Sequence, residues 1–338
     1  MRVSQIMNNI LFIGQKVGFR TNEKAHCGVG ILADLTSSIL AKSTKYNFIP
    51  CFIDNNDALE EAITHWLPEA IIYSYHGGTT RWLDDPSLRL KYNTIPHIMV
   101  HYDVHQSVAD SFSPDKFCGF KYVLTDDVTV KGNYNVIVVP RSLPVDPLPF
   151  TRVYYPTPKV PLIGFQGFGF AHKGIHRIAQ VVQSEFDEAV IRLHMPNSYF
   201  VDPNGDQARQ RVAEVNSIIK KPGIKVEIHN EFLTSEGIVN WLSANDVNCY
   251  FYDYMDGAGI ASSPDYALSA HKPIAITRSF QLRHLWDVSP TIDIAQTSLR
   301  QIIENGVEPL IPIYEQNTHK ALITRYEQIL DILINEGH

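Results

Sequence analysis

The feature of this sequence that most constrains its fold is an alternation of short apolar runs with longer amphipathic segments. The runs have the length of buried strands, and the longer segments repeat their apolar residues every three or four positions, as helices do. Because parallel strands need a crossover between them, this alternation predicts parallel sheets covered by helices. The predicted strands before residue 141 are 9–14, 48–53, 69–75, 95–102 and 136–140, with helices at 30–42 and 56–67 between the first three strands.

The same alternation restarts after a proline-rich segment. Residues 141–161 contain six prolines, which do not occur in regular structure inside a sheet, so we interpret this segment as a linker. Beyond it the predicted strands are 161–165, 189–195, 224–230, 247–252 and 272–277, and the predicted helices are 174–186, 206–220, 235–245, 264–271 and 319–336. A chain of 338 residues also favours more than one core.

The predicted fold class is therefore α/β, with two Rossmann-like, doubly wound parallel-sheet domains that face a cleft. The expected domains are 1–150 and 151–318. The final helical region, 319–338, is treated as a separate element that can return to the first domain. Ligands are expected at the carboxyl ends of the strands, where such a cleft lies.

Composition and charge narrow the classes of function. The chain has a net charge of −7, whereas a dedicated nucleic-acid binder is usually basic. The four cysteines lack the spacing of a zinc site or a disulfide framework, and the N-terminal apolar run is too short for a signal peptide or a membrane span. We therefore expect a cytoplasmic protein with no nucleic-acid partner, for which peripheral membrane contact and oligomeric state stay open. The cysteines are Cys27, Cys51, Cys118 and Cys249.

A glycine-rich loop follows the first predicted strand of the second half. The loop GFQGFGFAHKG, residues 164–174, contains four glycines and Lys173. It lacks the third glycine of the dinucleotide fingerprint, where His172 stands, and it lacks the Gly-Lys-Ser/Thr order of a P-loop. Glycines such as Gly167 and Gly169 let a backbone approach a ligand, and a lysine at the start of a helix suits a diphosphate. A glycine-rich turn with a solvated lysine explains the loop alone equally well.

A second candidate segment lies before the predicted strand 272–277. It reads DGAGIASSPDYALSAHKP, and its Ser-Ser-Pro sequence is typical of a helix start, because serine caps helices and proline favours the first turn. The carboxylate of Asp256 could accept hydrogen bonds from ligand hydroxyls, and the glycines beside it would let backbone amides reach a ligand. A helix cap and a tight turn are the simpler explanation. The candidate residues are Asp256, Gly257, Gly259, Ser262, Ser263, Asp265 and Tyr266.

Together the two segments resemble the nucleotide-sugar domain of GT-B glycosyltransferases, in particular glycosyltransferase family 4. In that family a strand, a glycine loop and a Lys-Gly pair precede a helix, and later an acidic loop leads to a helix that ends before Lys-Pro. The matching pieces here are IGFQGFGFAHKG and DGAGIASSPDYALSAHKPIAI. The segment CGVG, with Gly28 and Gly30, is similar to the family's glycine turn before its first helix.

The resemblance implies transfer of a sugar from a nucleotide-diphosphate sugar to an acceptor hydroxyl on a glycan, a lipid or a protein-linked sugar. It implies retention of the anomeric configuration, no metal, and no cofactor besides the donor substrate. Lys173 would bind the diphosphate, helped by helix termini in the same two segments. Asp256 would contact hydroxyls of the donor sugar, and Asp265 or Tyr266 would meet the ribose.

Four positions depart from the family pattern. The family's arginine, six residues before the lysine, is Gly167 here; its glycine before Lys-Pro is His271; and its two glutamates, eight positions apart, are missing. Asp256 would replace the first glutamate, and the second falls on or beside Asp265 and Tyr266. These departures support a second hypothesis, a two-domain protein that binds a sugar or a nucleotide sugar without catalysis.

Three histidines occur in the segment IPHIMVHYDVHQ: His97, His101 and His105. On a helix their spacing would align them for a metal, but the apolar content of the segment predicts a strand. We therefore expect His101 at a strand end, where the family resemblance implies a histidine close to the transferred sugar. His97 and His105 are expected to be structural. A metal-dependent hydrolase built on all three histidines is a third hypothesis.

Overall fold

The computed structural model describes residues 7–15, 28–78, 80–146, 158–197 and 202–336. The chain divides into two compact units, the first formed by residues 1–142 and 317–338 and the second by residues 143–316. Each unit has its own parallel sheet and its own apolar core. Most of the proline-rich segment and Cys27 lie outside the described residues.

The described residues of the first unit form a sheet of six strands. The strands are β1 (Asn8–Gln15), β2 (Tyr46–Ile53), β3 (Ala70–Tyr75), β4 (His97–His101), β5 (Tyr122–Thr125) and β6 (Val136–Val138). They are all parallel and follow the order β2–β1–β3–β4–β5–β6. The helices between them are α1 (Gly28–Leu40), α2 (Asn56–Trp66), α3 (Ser87–Lys91) and α4 (Gln106–Asp110).

Apolar clusters cover both faces of this sheet. Ile10 of β1 belongs to one cluster and its neighbour Leu11 to the other, because successive strand residues point to opposite faces. Leu322 and Leu330, from the last helix of the chain, are buried in the cluster that contains Ile10. The last helix, His319–Glu336, therefore returns to the first unit after the second unit is complete.

In the second unit, the part of the chain that the structure describes forms a sheet of five strands. The strands are β7 (Leu162–Gln166), β8 (Glu188–His194), β9 (Gly223–His229), β10 (Val247–Tyr250) and β11 (Ile274–Ile276). The helices are α5 (Ile175–Glu185), α6 (Asp206–Ile218), α7 (Ser235–Ser243), α8 (Ser263–Ser269), α9 (Leu299–Asn305) and α10 (Ile311–Gln316), and the last helix of the chain is α11. No helix in the described ranges has both the length and the apolar character needed to cross a membrane.

The strand order of the second sheet creates a switch point between β7 and β10. The parallel order is β11–β10–β7–β8–β9, so the chain moves outward from β7 to β9 and then returns to the other side of β7. In open parallel sheets, ligands bind beyond the carboxyl ends of the strands at such a point. The loops that follow β7 and β10 are the two candidate segments. The two sheets confirm the predicted doubly wound α/β fold class.

Candidate functional site

The loop after β7 packs tightly against the end of β10. A 3₁₀ turn at Ala171–Lys173 leads to Gly174, which precedes α5. Gly174 has a φ of +59°, and an ideal Cβ atom there would lie 1.9 Å from the carbonyl oxygen of Phe251. The amide of Asp253 also donates to the carbonyl of His172 at 2.8 Å. This contact of backbone with backbone requires glycine at position 174.

Lys173 is buried where these two segments meet. The side chain is 9% exposed, and its Nζ lies 3.9 Å from the centroid of the Tyr252 ring. Within the described ranges no carboxylate pairs with this ammonium group. Burial lowers the pKa of Lys173 from its ordinary value of 10.5 to about 7. Lys173 was predicted at the start of a helix; in the structure it is the last residue of the 3₁₀ turn, directly before Gly174 and α5.

A second cation, Arg177, holds the same corner together. From the first turn of α5, its guanidinium donates to the carbonyls of Phe251 at 3.1 Å and Tyr252 at 3.4 Å, and it forms an ion pair with Asp253. These contacts fix the carboxyl end of β10 against α5. Sequence reasoning missed Arg177, because its partners lie 74 to 76 residues further along the chain and it belongs to none of the motifs considered.

The two candidate loops also meet at Gly167 and Ser263. An ideal Cβ atom at Gly167 would lie 3.4 Å from the Ser263 hydroxyl oxygen. Gly169, which was expected to bring the backbone close to a ligand, instead faces α6. A Cβ atom at Gly169 would lie 2.6 Å from the Cα atom of Ala208. Gly169 therefore permits close packing of the loop on a helix.

The residues after β10 form the loop in front of α8. Asp256 is exposed, and its Oδ1 accepts a hydrogen bond from the amide of Gly257 at 3.0 Å. No hydrogen bond or ion pair between described residues joins Asp256 to Lys173. Gly259 is half-buried. The helix predicted to start at Ser-Ser-Pro does start there, with Ser262 at the N-cap position and Pro264 in the first turn of α8. The Ser262 side chain makes no capping hydrogen bond, because its backbone is already helical, with φ −85° and ψ −16°.

The two residues expected near a ribose lie inside α8. Asp265 and Tyr266 are both buried, and the Tyr266 hydroxyl lies 3.4 Å from the hydroxyl of Ser235. Burial raises the pKa of Tyr266. A contact with ribose would require one of these buried side chains to become accessible to a ligand, and it stays a prediction.

In the first unit, His101 is the last residue of β4. Its ring centroid lies 5.3 Å from that of Tyr75 and 5.8 Å from that of Phe117. The Nδ1 atom accepts a hydrogen bond from the amide of Asp103 at 3.2 Å, so Nε2 carries the proton of the neutral ring. Burial lowers the pKa of His101. The side chain therefore offers one N–H donor at neutral pH.

The other predicted residues of the first unit lie apart from His101. His97 begins β4 and is hydrogen-bonded to a buried tyrosine, whereas His105 precedes α4. Across the described ranges, no group of three or more His, Cys, Asp or Glu side chains is placed to hold a metal, so the three-histidine centre does not form on this strand. Gly28 and Gly30 lie in the first turn of α1 rather than in a turn before it.

Comparison with solved structures adds evidence on the fold. Alr3699/HepE of Anabaena, in complex with UDP and glucose, has a TM-score of 0.60 at 10% identity, over 96% of this chain and 99% of that chain. The N-terminal domain of Candida albicans trehalose-6-phosphate phosphatase has a TM-score of 0.61 at 9% identity, over 98% of both chains. AviGT4, a glycosyltransferase of avilamycin A biosynthesis, has a TM-score of 0.58 at 8% identity, over 97% of this chain and 98% of that chain.

Sequence comparison adds nothing to this likeness, since no family model and no curated protein matches the chain. At identities near 10% the structural matches establish a shared fold alone. The strands of both units also follow the parallel order of doubly wound sheets. The chain therefore has the two-domain GT-B fold found in glycosyltransferases, as the resemblance of its two motif segments implied.

Proposed function

We propose that this chain is a glycosyltransferase that moves a sugar from a nucleotide-diphosphate donor to an acceptor hydroxyl. The observation that carries the proposal is the position of Lys173: a buried ammonium group with no carboxylate partner among the described residues, where the loops after β7 and β10 meet. A cation in this position suits a diphosphate. The likeness to the Anabaena protein solved with UDP and glucose, and to the glycosyltransferase AviGT4, supports the same class of donor.

The chemistry of such a transfer depends on the departure of the diphosphate. As the bond to the sugar breaks, negative charge develops on the leaving oxygen, and a fixed cation in a site of low dielectric constant stabilises it strongly. Lys173 supplies that cation. The amino end of α5, a helix of 11 residues, adds a partial positive charge. Arg177 is assigned a positioning role, because it holds α5 against β10.

We assign the sugar contacts to two other residues. Asp256 is exposed in the loop after β10 and would accept hydrogen bonds from hydroxyls of the donor sugar. His101 of the first unit would donate from Nε2 to the transferred sugar, since its other ring nitrogen already accepts a hydrogen bond. The proposal includes retention of the anomeric configuration and a transfer step that uses no metal.

A thermal-shift screen followed by a turnover assay tests the proposal. UDP, GDP, ADP and CDP, and the nucleotide sugars derived from each of them, are added separately to the protein. A nucleotide present at a hundred times its Kd stabilises the folded state by about 2.7 kcal/mol, which raises Tm by several degrees. We expect one nucleoside diphosphate to raise Tm in this way. We also expect the protein to hydrolyse the corresponding nucleotide sugar slowly in the absence of acceptor.

The outcomes separate the two hypotheses of function. Binding of a nucleotide sugar with no turnover, in the presence of a range of hydroxyl acceptors, would favour the non-catalytic binding protein. If no nucleotide or nucleotide sugar shifts Tm, the assignment of Lys173 to a diphosphate is wrong.

A further inference from the structure

Three side chains at the carboxyl edge of the second sheet each carry a buried polar atom to which the described residues offer no hydrogen-bond partner. The atoms are Oε1 of Gln166, Nδ1 of His194 and Nδ1 of His229. The parallel register pairs Gln166 with His194, and His194 with His229, on β7, β8 and β9. Register partners on neighbouring strands face the same side of a sheet. The three side chains therefore form one row, called here the edge row.

The hydrogen bonding of His194 determines which ring nitrogen can act as a ligand. His194 is fully buried, and its Nε2 lies 3.0 Å from the carbonyl oxygen of Glu231. Because a carbonyl oxygen only accepts, Nε2 carries the proton and Nδ1 keeps its lone pair in the neutral ring. Metal-binding histidines are commonly oriented in this way, with one nitrogen donating to a carbonyl and the other facing the ion.

The spacing of the two imidazole rings fits a shared ion. The ring centroids of His194 and His229 are 5.2 Å apart, with an angle of 50° between the planes. Two imidazoles that bind one tetrahedral ion at about 2.1 Å have centroids separated by about 5 Å. Gln166 adds a carbonyl oxygen from the neighbouring strand. With no third His, Cys, Asp or Glu grouped there among the described residues, water would complete the coordination.

We propose that the edge row binds a divalent transition-metal ion of the zinc and nickel class through His194, His229 and the amide oxygen of Gln166. Imidazole nitrogen suits these ions, whereas Mg²⁺ and Ca²⁺ prefer oxygen ligands. None of these three ligands is assigned to the donor in the proposed sugar transfer. A small ion also satisfies all three buried atoms at once, which relieves the cost of burying polar groups without partners.

Equilibrium dialysis of the untagged protein against Zn²⁺ or Ni²⁺, followed by elemental analysis, tests the proposal. We expect one ion per chain, retained in a large excess of Mg²⁺. Trp241 gives a second readout, because its ring centroid lies 5.6 Å from that of His194. Bound Ni²⁺ should quench part of the tryptophan fluorescence, and the quenching should saturate at the same stoichiometry.

Variants of the row identify the ligands. His229→Gln is the first choice, because His229 is only half-buried and its replacement disturbs little packing. We expect it to weaken metal binding by at least about tenfold and to remove the fluorescence change. Gln166→Met should weaken binding less. The control is His65→Gln, which removes an exposed histidine of α2 and should leave binding unchanged.

Three results would overturn the proposal. Wild-type protein could fail to retain a stoichiometric ion, the His229→Gln variant could bind as tightly as wild type, or the control could lose binding to the same extent. Circular dichroism of each variant establishes that it is folded before its binding is compared. Any one of these results would mean that the edge row does not hold the ion.

Discussion

At the scale of single residues, the proposed function depends on the charge of Lys173 rather than on its packing. Lys173→Met keeps an apolar side chain over the Tyr252 ring and removes the ammonium group. We expect the variant to be at least as stable as wild type, since it no longer buries an amine. It should bind its nucleoside diphosphate about 3 kcal/mol more weakly. Isothermal titration calorimetry and urea unfolding measure the two effects.

A surface lysine of the same unit provides the control. Lys159 is 84% exposed and pairs with Glu188, so Lys159→Met should change neither nucleotide affinity nor stability by more than about 0.5 kcal/mol. If Lys173→Met bound the nucleotide as tightly as this control, Lys173 would have no role in diphosphate binding.

The burial of Lys173 also predicts a dependence on pH. Its pKa is lowered to about 7, so the free protein carries an increasing share of neutral amine above that pH. A bound diphosphate favours the ammonium form, so binding takes up a proton, and affinity should fall by up to about tenfold per pH unit above pH 7. The unfolded chain binds more protons than the folded state between about pH 7 and about pH 10.5, so the stability contribution of Lys173 rises with pH in that window.

Calorimetric titrations from about pH 6 to about pH 9, in buffers that differ in ionisation enthalpy, measure this proton uptake. Lys173→Met should show a flatter profile over the same range. An affinity that is equal at both ends of the range in wild-type protein would contradict the proposed contact between the lysine and the diphosphate.

At the scale of the element, the residue that ends the α8 segment has the left-handed backbone conformation typical of glycine, although it is not a glycine. This residue is His271, at the position where the pattern of glycosyltransferase family 4 has glycine, and its φ is +52°. This conformation costs a non-glycine residue about 1 kcal/mol. The His271 ring stacks on Tyr314, with centroids 5.0 Å apart and an angle of 12°, which offsets part of that cost.

Two substitutions at His271 separate the stacking from the backbone strain. His271→Ala loses the ring and keeps the left-handed backbone, whereas His271→Gly loses the ring and relieves the strain. We therefore expect the glycine variant to be about 1 kcal/mol more stable than the alanine variant. Urea unfolding of both proteins measures the difference. Equal stabilities would show that the backbone at this position carries no strain.

Sequence patterns predicted the long elements well and the contacts between loops poorly. Buried parallel strands have nearly continuous apolar sequences, which is why β1 and β8 could be located within one or two residues. Strand β5, four residues that are followed directly by two aspartates, was not predicted. Gly169 indicated that the backbone of the loop approaches another group closely. The sequence could not identify that group as Ala208, because Ala208 lies on a later helix.

The same limit applies to the candidate site. The position of Lys173 at the carboxyl end of a strand could be predicted, because the glycine loop directly follows the first predicted strand of the second half. The burial of Lys173 against Tyr252 and the ion pair of Arg177 with Asp253 could not, since both join residues more than 70 positions apart. Such pairs depend on tertiary packing, which local patterns do not encode.

At the scale of the whole molecule, the chain builds its first core from two separate segments. The last helix, α11, joins the first unit after the second unit is complete. The buried ion pair between Arg141 and Asp126, at 3.0 Å, and the hydrogen bond from the Arg141 amide to Asn317, at 2.6 Å, lie where the two segments meet. The second unit, in contrast, is one continuous stretch of chain.

This continuity predicts that residues 143–316 fold alone. The buried core cluster of the second unit runs from Leu143 to Tyr314, and among the described residues none of its members comes from the first unit. Lys173, which the proposal places at the diphosphate, and Arg177, which holds α5 against β10, both lie in the same stretch. We expect the isolated fragment to unfold cooperatively and to bind the nucleoside diphosphate of the full chain within about tenfold in affinity, a difference of about 1.4 kcal/mol.

Circular dichroism during thermal unfolding and calorimetric titration of the fragment check both expectations. A folded fragment without nucleotide affinity would show that the diphosphate site is not contained in the second unit.

If the fragment does not fold, His101→Ala in the full-length protein separates the roles of the two units instead. Because His101 lies in the first unit, this variant should lower turnover of the sugar donor and leave nucleotide binding unchanged. A loss of both turnover and nucleotide binding would indicate that His101 is needed for the folding of its own unit, where it packs against Tyr75.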